Sequence, residues 1–285
     1  MRTFLLSLLL VFSVGAMAET KEITIGFLPG GNAEVIKRGS VELAKGLQDE
    51  LGIRVNVYLS KNYTGLVEAM KTKKVDFAFF TAMAYVYAEK EAGAKVLLKK
   101  VWAEPFYYST ILTKKSSKLR KIADLNSSRF GFVEEKSTSG YLYPQVLLKQ
   151  KKIQLKSSRF SGSHFSSVEW LDQGEVDAIA VFADDKKGLK NAYVKYSKTP
   201  HPEKEFRVLW VSEPIPNDAF CVRSDYYEQD PKLTHNLMFA LIDVVDKLKS
   251  NKDVMETVGA QGLVPATQKQ YDPVREMVKE LGLQP

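Results

Sequence analysis

Apolar and polar residues alternate through Ile23, Ile25 and Phe27, shift to helical spacing at Ile36, Leu43, Leu47 and Leu51, and alternate again at Ile53, Val55, Val57 and Leu59. Alternation buries one face of a strand, whereas a period of about 3.6 residues buries one stripe of a helix. The chain is therefore predicted to open β, α, β, with PGGN at 29–32 as a turn and Gly52 as the helix stop. Tyr63, Leu66, Val67 and Met70 share one side of a short helix that ends in the basic run 71–74. VDFAFF then reads as a strand, AMAYVYAEKEAG as a helix closed by Gly93, and AKVLLKKV and FYYSTILTKK as two more strands. LRKIADL is predicted helical, HFSSVEWLDQG a helix, and VDAIAVF and FRVLWVS strands. Two prolines make EPIPND an extended crossing segment, AFCVR reads as a strand, and from Pro231 a helix carries Leu233, Leu237, Ala240, Leu241, Val244, Val245 and Leu248 on one face, with His235 off it at the surface. Short helical segments follow Lys252. Strands and helices alternating throughout predict an α/β protein. Val75-Asp76 and Val176-Asp177 each start a strand after a polar turn, which suggests two lobes on similar plans with both aspartates structural.

The first eighteen residues have the form of an export signal: Arg2, the apolar run FLLSLLLVFSV, and Ala16-Met17-Ala18, with cleavage expected after Ala18. That run is short for a membrane span, so an exported, non-membrane-spanning product is expected. The formal net charge is +7, but pairs such as Lys99-Lys100, Lys114-Lys115 and Lys151-Lys152 are scattered over many segments. Such scatter is a solvated surface rather than a nucleic-acid stripe, although a diffuse positive field favours encounter with small anions. Cys221 is the single cysteine, so no internal disulfide forms, and AFCVR places it as a small buried residue. The three histidines lack metal-ligand spacing.

The most informative stretch is Arg129–Leu148, a short β-prone run through Phe130, Phe132 and Val133 followed by Ser137, Thr138, Ser139 and Gly140 and then a helix. The first amides of a helix lack internal acceptors and carry the positive end of its dipole, so this turn could hold an anion. The same Ser-Thr-Ser could equally be an ordinary N-cap. Pro144 fits a helix interior poorly and predicts a kink or a later start. Lys136, next to the turn, is expected to be solvated.

Five segments, NYTGLVEAMKTKKVDFAFF, PFYYSTILTKKSS, RFGFVEEKSTSGYLYP, FSGSHFSSVEWLDQGEVDAIAV and WVSEPIPNDAFCVR, resemble in order the periplasmic phosphate/phosphite/phosphonate-binding proteins of ABC importers. The resemblance implies a type II periplasmic binding protein fold: two lobes, each a mixed sheet flanked by helices, joined by two crossing strands. Lobe one would comprise 19–107 and 213–285, and lobe two 108–212. It also implies a small phosphorus oxyanion in the cleft, a transient ABC permease partner in the inner membrane, a periplasmic monomer, and neither cofactor, metal nor catalytic residue. Carried over, the anion site falls on Ser137, Thr138, Ser139 and His164, with Tyr63 and Tyr107 lining it. Asp218 would accept from a protonated anion oxygen or another ligand donor, and Asp184 stands where aminoalkyl-phosphonate binders place an acid on the amine. A carboxylate at 218 would repel fully ionised sulfate. Thr81-Ala82-Met83-Ala84 departs from the Gly-x-x-Ser pattern common after the VDFAFF strand in the family.

Two other classes compete. A sensor subunit could use the same fold to present ligand to a membrane signalling protein. An exported hydrolase would need Ser137 or Ser139 as nucleophile and His164 as base, but no G-x-S-x-G elbow is present.

Overall fold

The computed structural model describes residues 21–28, 32–102, 104 and 106–283; the expected export signal and most of the PGGN turn lie outside the described residues. The strands are β1 (Glu22–Phe27), β2 (Arg54–Leu59), β3 (Phe77–Phe80), β4 (Ala94–Val101), β5 (Phe106–Lys114), β6 (Arg129–Phe132), β7 (Ser157–Phe160), β8 (Ala178–Ala183), β9 (Phe206–Val211), β10 (Ile215–Pro216), β11 (Ala219–Arg223) and β12 (Gly262–Pro265). The helices are α1 (Ala33–Leu51), α2 (Tyr63–Lys71), α3 (Ala82–Ala92), α4 (Tyr143–Gln150), α5 (His164–Gln173), α6 (Ala192–Tyr196), α7 (Ser224–Gln229), α8 (Pro231–Lys247), α9 (Lys252–Val258) and α10 (Asp272–Glu280).

Two mixed sheets result. The first runs β12-β4-β11-β3-β1-β2, and the second β10-β5-β8-β6-β7 with β9 on the other side of β5. β1 lies parallel to β2 and β3, whereas β11, arriving late in the chain, inserts antiparallel between β3 and β4. The two segments that pass between the sheets pair with each other, Ile215 opposite Tyr107 and Pro216 opposite Phe106.

Every residue of β3 is buried because helices cover both faces of its sheet. Phe77 and Phe79 pack with Leu43, Leu47, Leu237 and Leu241 of α1 and α8, while Ala78 and Phe80 face Leu66, Met70 and Tyr85 of α2 and α3. The predicted glycine stops Gly52 (φ 65°) and Gly93 (φ 64°) take left-handed conformations, where a Cβ would be strained, and Gly174 (φ 72°) ends α5 in the same way.

The two Val-Asp turns hold the same device. Asp76 accepts from the Thr24 amide at 2.9 Å and pairs with Arg223 at 3.1 Å. Asp177 accepts from the Arg129 amide at 2.8 Å and pairs with its guanidinium at 2.7 Å. Each carboxylate thus ties the start of one strand to the start of its parallel neighbour.

Three local expectations are corrected. LRKIADL forms only one 3-10 turn, Ile122–Leu125, because the Asp124 carboxylate takes the amides of Arg120 and Lys121 that would open a longer helix. Lys136 is half-buried, with its ammonium 3.4 Å from the centre of the Tyr87 ring. Lys114 is likewise drawn inward, to Asp172 at 2.9 Å.

Candidate functional site

The helix after β6 begins not as an α-helix but as one wide π turn, Thr138–Leu142, continuous with α4. The reason is Pro144, which has no N–H to give to a carbonyl one turn back. The carbonyls left over are used elsewhere: Ser139 O accepts from Ser109 Oγ at 2.6 Å and Gly140 O from the Val133 amide at 3.1 Å. The turn is thereby tied to β5 and to the end of β6. π turns of this kind recur at functional sites.

Ser137 is the cap, its Oγ accepting from the Gly140 amide at 3.1 Å. Among the described residues no acceptor takes the amides of Thr138 or Ser139. Ser137, Thr138 and Ser139 are all buried.

Three further helices start beside this turn. Tyr63, the first residue of α2, donates its amide to Glu134 Oε2 across the lobes at 2.8 Å. At the start of α3, Met83 donates its amide to Thr138 Oγ1 at 2.8 Å, and Thr81 Oγ1 donates to Lys136 O at 2.9 Å. Residues that depart from Gly-x-x-Ser thus join the start of α3 to the Thr138–Leu142 turn and the residue before it. His164 opens α5, behind the cap Ser163. Four helix dipoles with their positive ends at one place favour negative charge there.

Between the lobes lies a cavity of about 400 Å³ whose lining includes Tyr63, Tyr107, Ser137, Ser139, His164, Asp184 and Asp218. Seven of the eight residues expected at the site therefore come together. Thr138 stands behind the wall, its oxygen accepting from the Met83 amide.

His164 is 8% exposed, its Nδ1 is buried, and no hydrogen-bond partner for that atom exists among the described residues. An unmatched buried polar atom is costly, so such atoms persist where a ligand or water completes them. Burial first, and the positive charge of Lys195 second, push the imidazole pKa down to about 3. The ring is neutral at physiological pH and acts as a dipole rather than a cation. The unfolded chain, with an ordinary imidazole, takes up this proton first, so His164 costs stability as pH falls from about 6.5 toward about 3 and nothing above that window. Nitrogen-detected NMR of the ligand-free protein should show no His164 titration between about pH 5 and 8; a midpoint near the ordinary value would contradict the burial.

The Tyr63 and Tyr107 phenols are both pushed up, chiefly by burial, and in each the Asp218 charge adds to the effect. Thr138 and Ser139 pull Tyr107 the other way. Both phenols stay protonated and can donate. Asp184, on the cavity wall, is pushed up by loss of water around its carboxyl and pulled back first by Lys195.

Sequence reasoning missed several lining groups: Trp102, Asn217, Lys195, Glu256 and, above all, Lys100, counted there among surface lysines. Lys100 Nζ lies 3.1 Å from Asp218 Oδ2, with side-chain exposures of 13% and 26%. On the far side of the cavity Glu256 of α9 accepts from Lys195 Nζ at 2.7 Å and Tyr196 OH at 3.1 Å of α6, a second link between the lobes. Among the described residues no cluster of three or more His, Cys, Asp or Glu could hold a metal, and no helix is long and apolar enough to cross a membrane.

Residues 25–271 match the family model described as ABC transporter, phosphonate, periplasmic substrate-binding protein. The chain belongs to that family. Among similar members, a probable ABC transporter phosphite binding protein of Prochlorococcus marinus is 24% identical, with 99% of this chain and 98% of the relative aligned. The phosphate-import protein of Mycolicibacterium smegmatis is 27% identical over 91% of this chain and 86% of its own. The solved structure of the Prochlorococcus protein in complex with methylphosphonate superposes with a TM-score of 0.78 at 23% identity, covering 92% of this chain and 99% of that one. That likeness establishes the two-lobe binding-protein fold anticipated from the sequence. As a periplasmic substrate-binding protein of an ABC transporter, the chain has a ligand and a transporter as its functional partners.

Proposed function

We propose that this protein captures a small phosphorus oxyanion, phosphonate, phosphite or phosphate, between its lobes and delivers it to an inner-membrane ABC permease. The oxyanion would sit at the start of the Thr138–Leu142 turn, held by the Thr138 and Ser139 amides, the Ser137, Thr138 and Ser139 hydroxyls, the Tyr63 and Tyr107 phenols, and His164. The observation that carries this reading is the buried, unpartnered His164 Nδ1, in a residue that lines the same cavity as Ser137 and Ser139 of the turn whose first amides also lack acceptors. Relatives named for phosphite binding and phosphate import support it.

Neutral donors hold the guest without a fixed counter-ion at that end, so reopening the cleft releases it. The lobes divide near 107 and 213, where β5 and β10 pair, and those crossing strands are the hinge. Export with cleavage after Ala18 brings the receptor to the periplasm as a monomer. The receptor reading, rather than a hydrolase, draws support from His164: neither Ser137 nor Ser139 hydrogen-bonds to its ring among the described residues, the contact a serine nucleophile requires.

Titration calorimetry against phosphate, phosphite, methylphosphonate and sulfate is the test. One-to-one binding of a phosphorus oxyanion is expected, weakened about 10- to 100-fold by His164→Ala or Thr138→Ala through loss of one hydrogen bond to a charged group. Unchanged affinity in both variants would overturn the site, and turnover of a phosphoester would overturn the class.

A further inference from the structure

We infer that Lys100 is a specificity-determining residue: by pairing with Asp218 inside the cleft it supplies from the protein the cation that an ammonium-bearing ligand would bring, and so selects phosphorus oxyanions without an ammonium group. The inference rests on the function proposed above and narrows its ligand class.

The pair is built in. The Lys100 amide donates to Asp218 O at 2.9 Å where β4 runs beside the approach to β11, so the sheet sets the two side chains next to each other before any ligand arrives. Lys100 Nζ then reaches Asp218 Oδ2 at 3.1 Å and also lies 5.5 Å from the centre of the Phe79 ring. Both side chains are largely withdrawn from solvent and both line the cavity. The pairing changes what Asp218 can do: a carboxylate already matched by an ammonium has little to gain from a second cation, and it no longer meets an unprotonated ligand oxygen as a bare charge.

A second acid of the cavity is matched in the same way. Glu256 takes Lys195 at 2.7 Å, while Asp184 makes no ion pair among the described residues and has the positive charges of Lys195 and Lys190 near it on the same wall. Three lysines thus share the cavity with three carboxylates, two of them already paired, and an incoming ammonium has to approach the lysines to reach any of these acids. A ligand whose only charge is its oxyanion pays no such penalty.

The test is calorimetry with methylphosphonate and 2-aminoethylphosphonate on the wild type, Lys100→Met and Asp218→Asn. The wild type should prefer methylphosphonate by about tenfold or more, and Lys100→Met, which bares Asp218, should lose or reverse that preference by weakening methylphosphonate and strengthening the amine-bearing ligand. Asp218→Asn removes the carboxylate and frees the lysine, so methylphosphonate should bind more tightly and its preference over 2-aminoethylphosphonate should widen. A structural role for Lys100 would lower both affinities together and leave their ratio unchanged, which would overturn the inference. Equal or better wild-type binding of 2-aminoethylphosphonate would overturn it too, as would loss of methylphosphonate binding in Asp218→Asn, a variant that does not depend on Lys100→Met folding. Failure of the wild type to bind either compound would instead bring down the function on which the inference rests, and the inference with it.

Discussion

Gly140→Ala should weaken oxyanion binding by about 100-fold or more, since it shifts at least two hydrogen bonds to a charged group, each contributing about 1.5–3 kcal/mol. A Cβ built at this position would lie 2.5 Å from Val133 Cβ and 2.8 Å from Ser137 Oγ, both far inside van der Waals contact. Val133 is fully buried at the end of β6 and cannot retreat, so the turn has to move. Ser137 and Ser139 move with it, and the ties to Ser109 and Val133 that fix the π turn are strained. Overpacking of this kind costs about 1–3 kcal/mol of stability, which leaves a folded protein in which affinity can be measured. Gly262→Ala, where a Cβ meets nothing within 4 Å, is the control and should bind as the wild type does. Calorimetry with a thermal melt separates the two effects; unaltered affinity in Gly140→Ala would mean that the turn is not the anion cradle.

The largest stability loss is expected from Arg223→Met. Its guanidinium donates to the Val75 carbonyl at 2.9 Å and pairs with Asp76, with side-chain exposures of 11% and 17%. Removing one partner of a buried pair leaves the other charge uncompensated and costs about 3–5 kcal/mol. Burial already pushes the Asp76 pKa up, against the opposing pull of the Thr24 amide and Arg223. In the variant that pKa rises further, the folded state then holds the proton more tightly than the unfolded chain, and the deficit shrinks as pH is lowered through it. Arg129→Met strikes the equivalent pair in the second lobe, but there the exposures are 43% and 35%. Water screens that pair, so about 0–1 kcal/mol is expected. Urea denaturation of both variants checks the contrast; equal losses would contradict the assignment to burial.

That contrast also marks how far sequence carries. Val75-Asp76 and Val176-Asp177 were recognisable as one device used twice, because strand starts are local and the pattern repeats. The glycine stops at 52 and 93 were legible for the same reason, as was α8, whose apolar stripe is long. β7 escaped because all four of its residues are exposed, so the strand shows no apolar alternation. α6 escaped because five residues are too few to display a helical period. Of the site, the Ser137–Ser139 turn could be read as a local motif, whereas His164, Tyr63, Tyr107 and Asp218 entered only through resemblance. Lys100 could not be found either way. It belongs to one of many lysine pairs, and what singles it out is a strand register that sets it against a residue 118 positions later. The Ser-Thr-Ser motif was ambiguous between cap and cradle; the structure shows the cap, Ser137 Oγ on Gly140, and leaves the amides of the next two residues without an acceptor among the described residues, as the proposed cradle requires.

The most direct measurement is a crystal structure of the mature protein grown with methylphosphonate. Phosphonate oxygens within hydrogen-bonding distance of the Thr138 and Ser139 amides and of the His164 ring, with Tyr63 and Tyr107 closing over them and Lys100 still on Asp218, are the expected result. Methylphosphonate lodged away from residues 137–139, or absent while that turn faces bulk solvent, would contradict it.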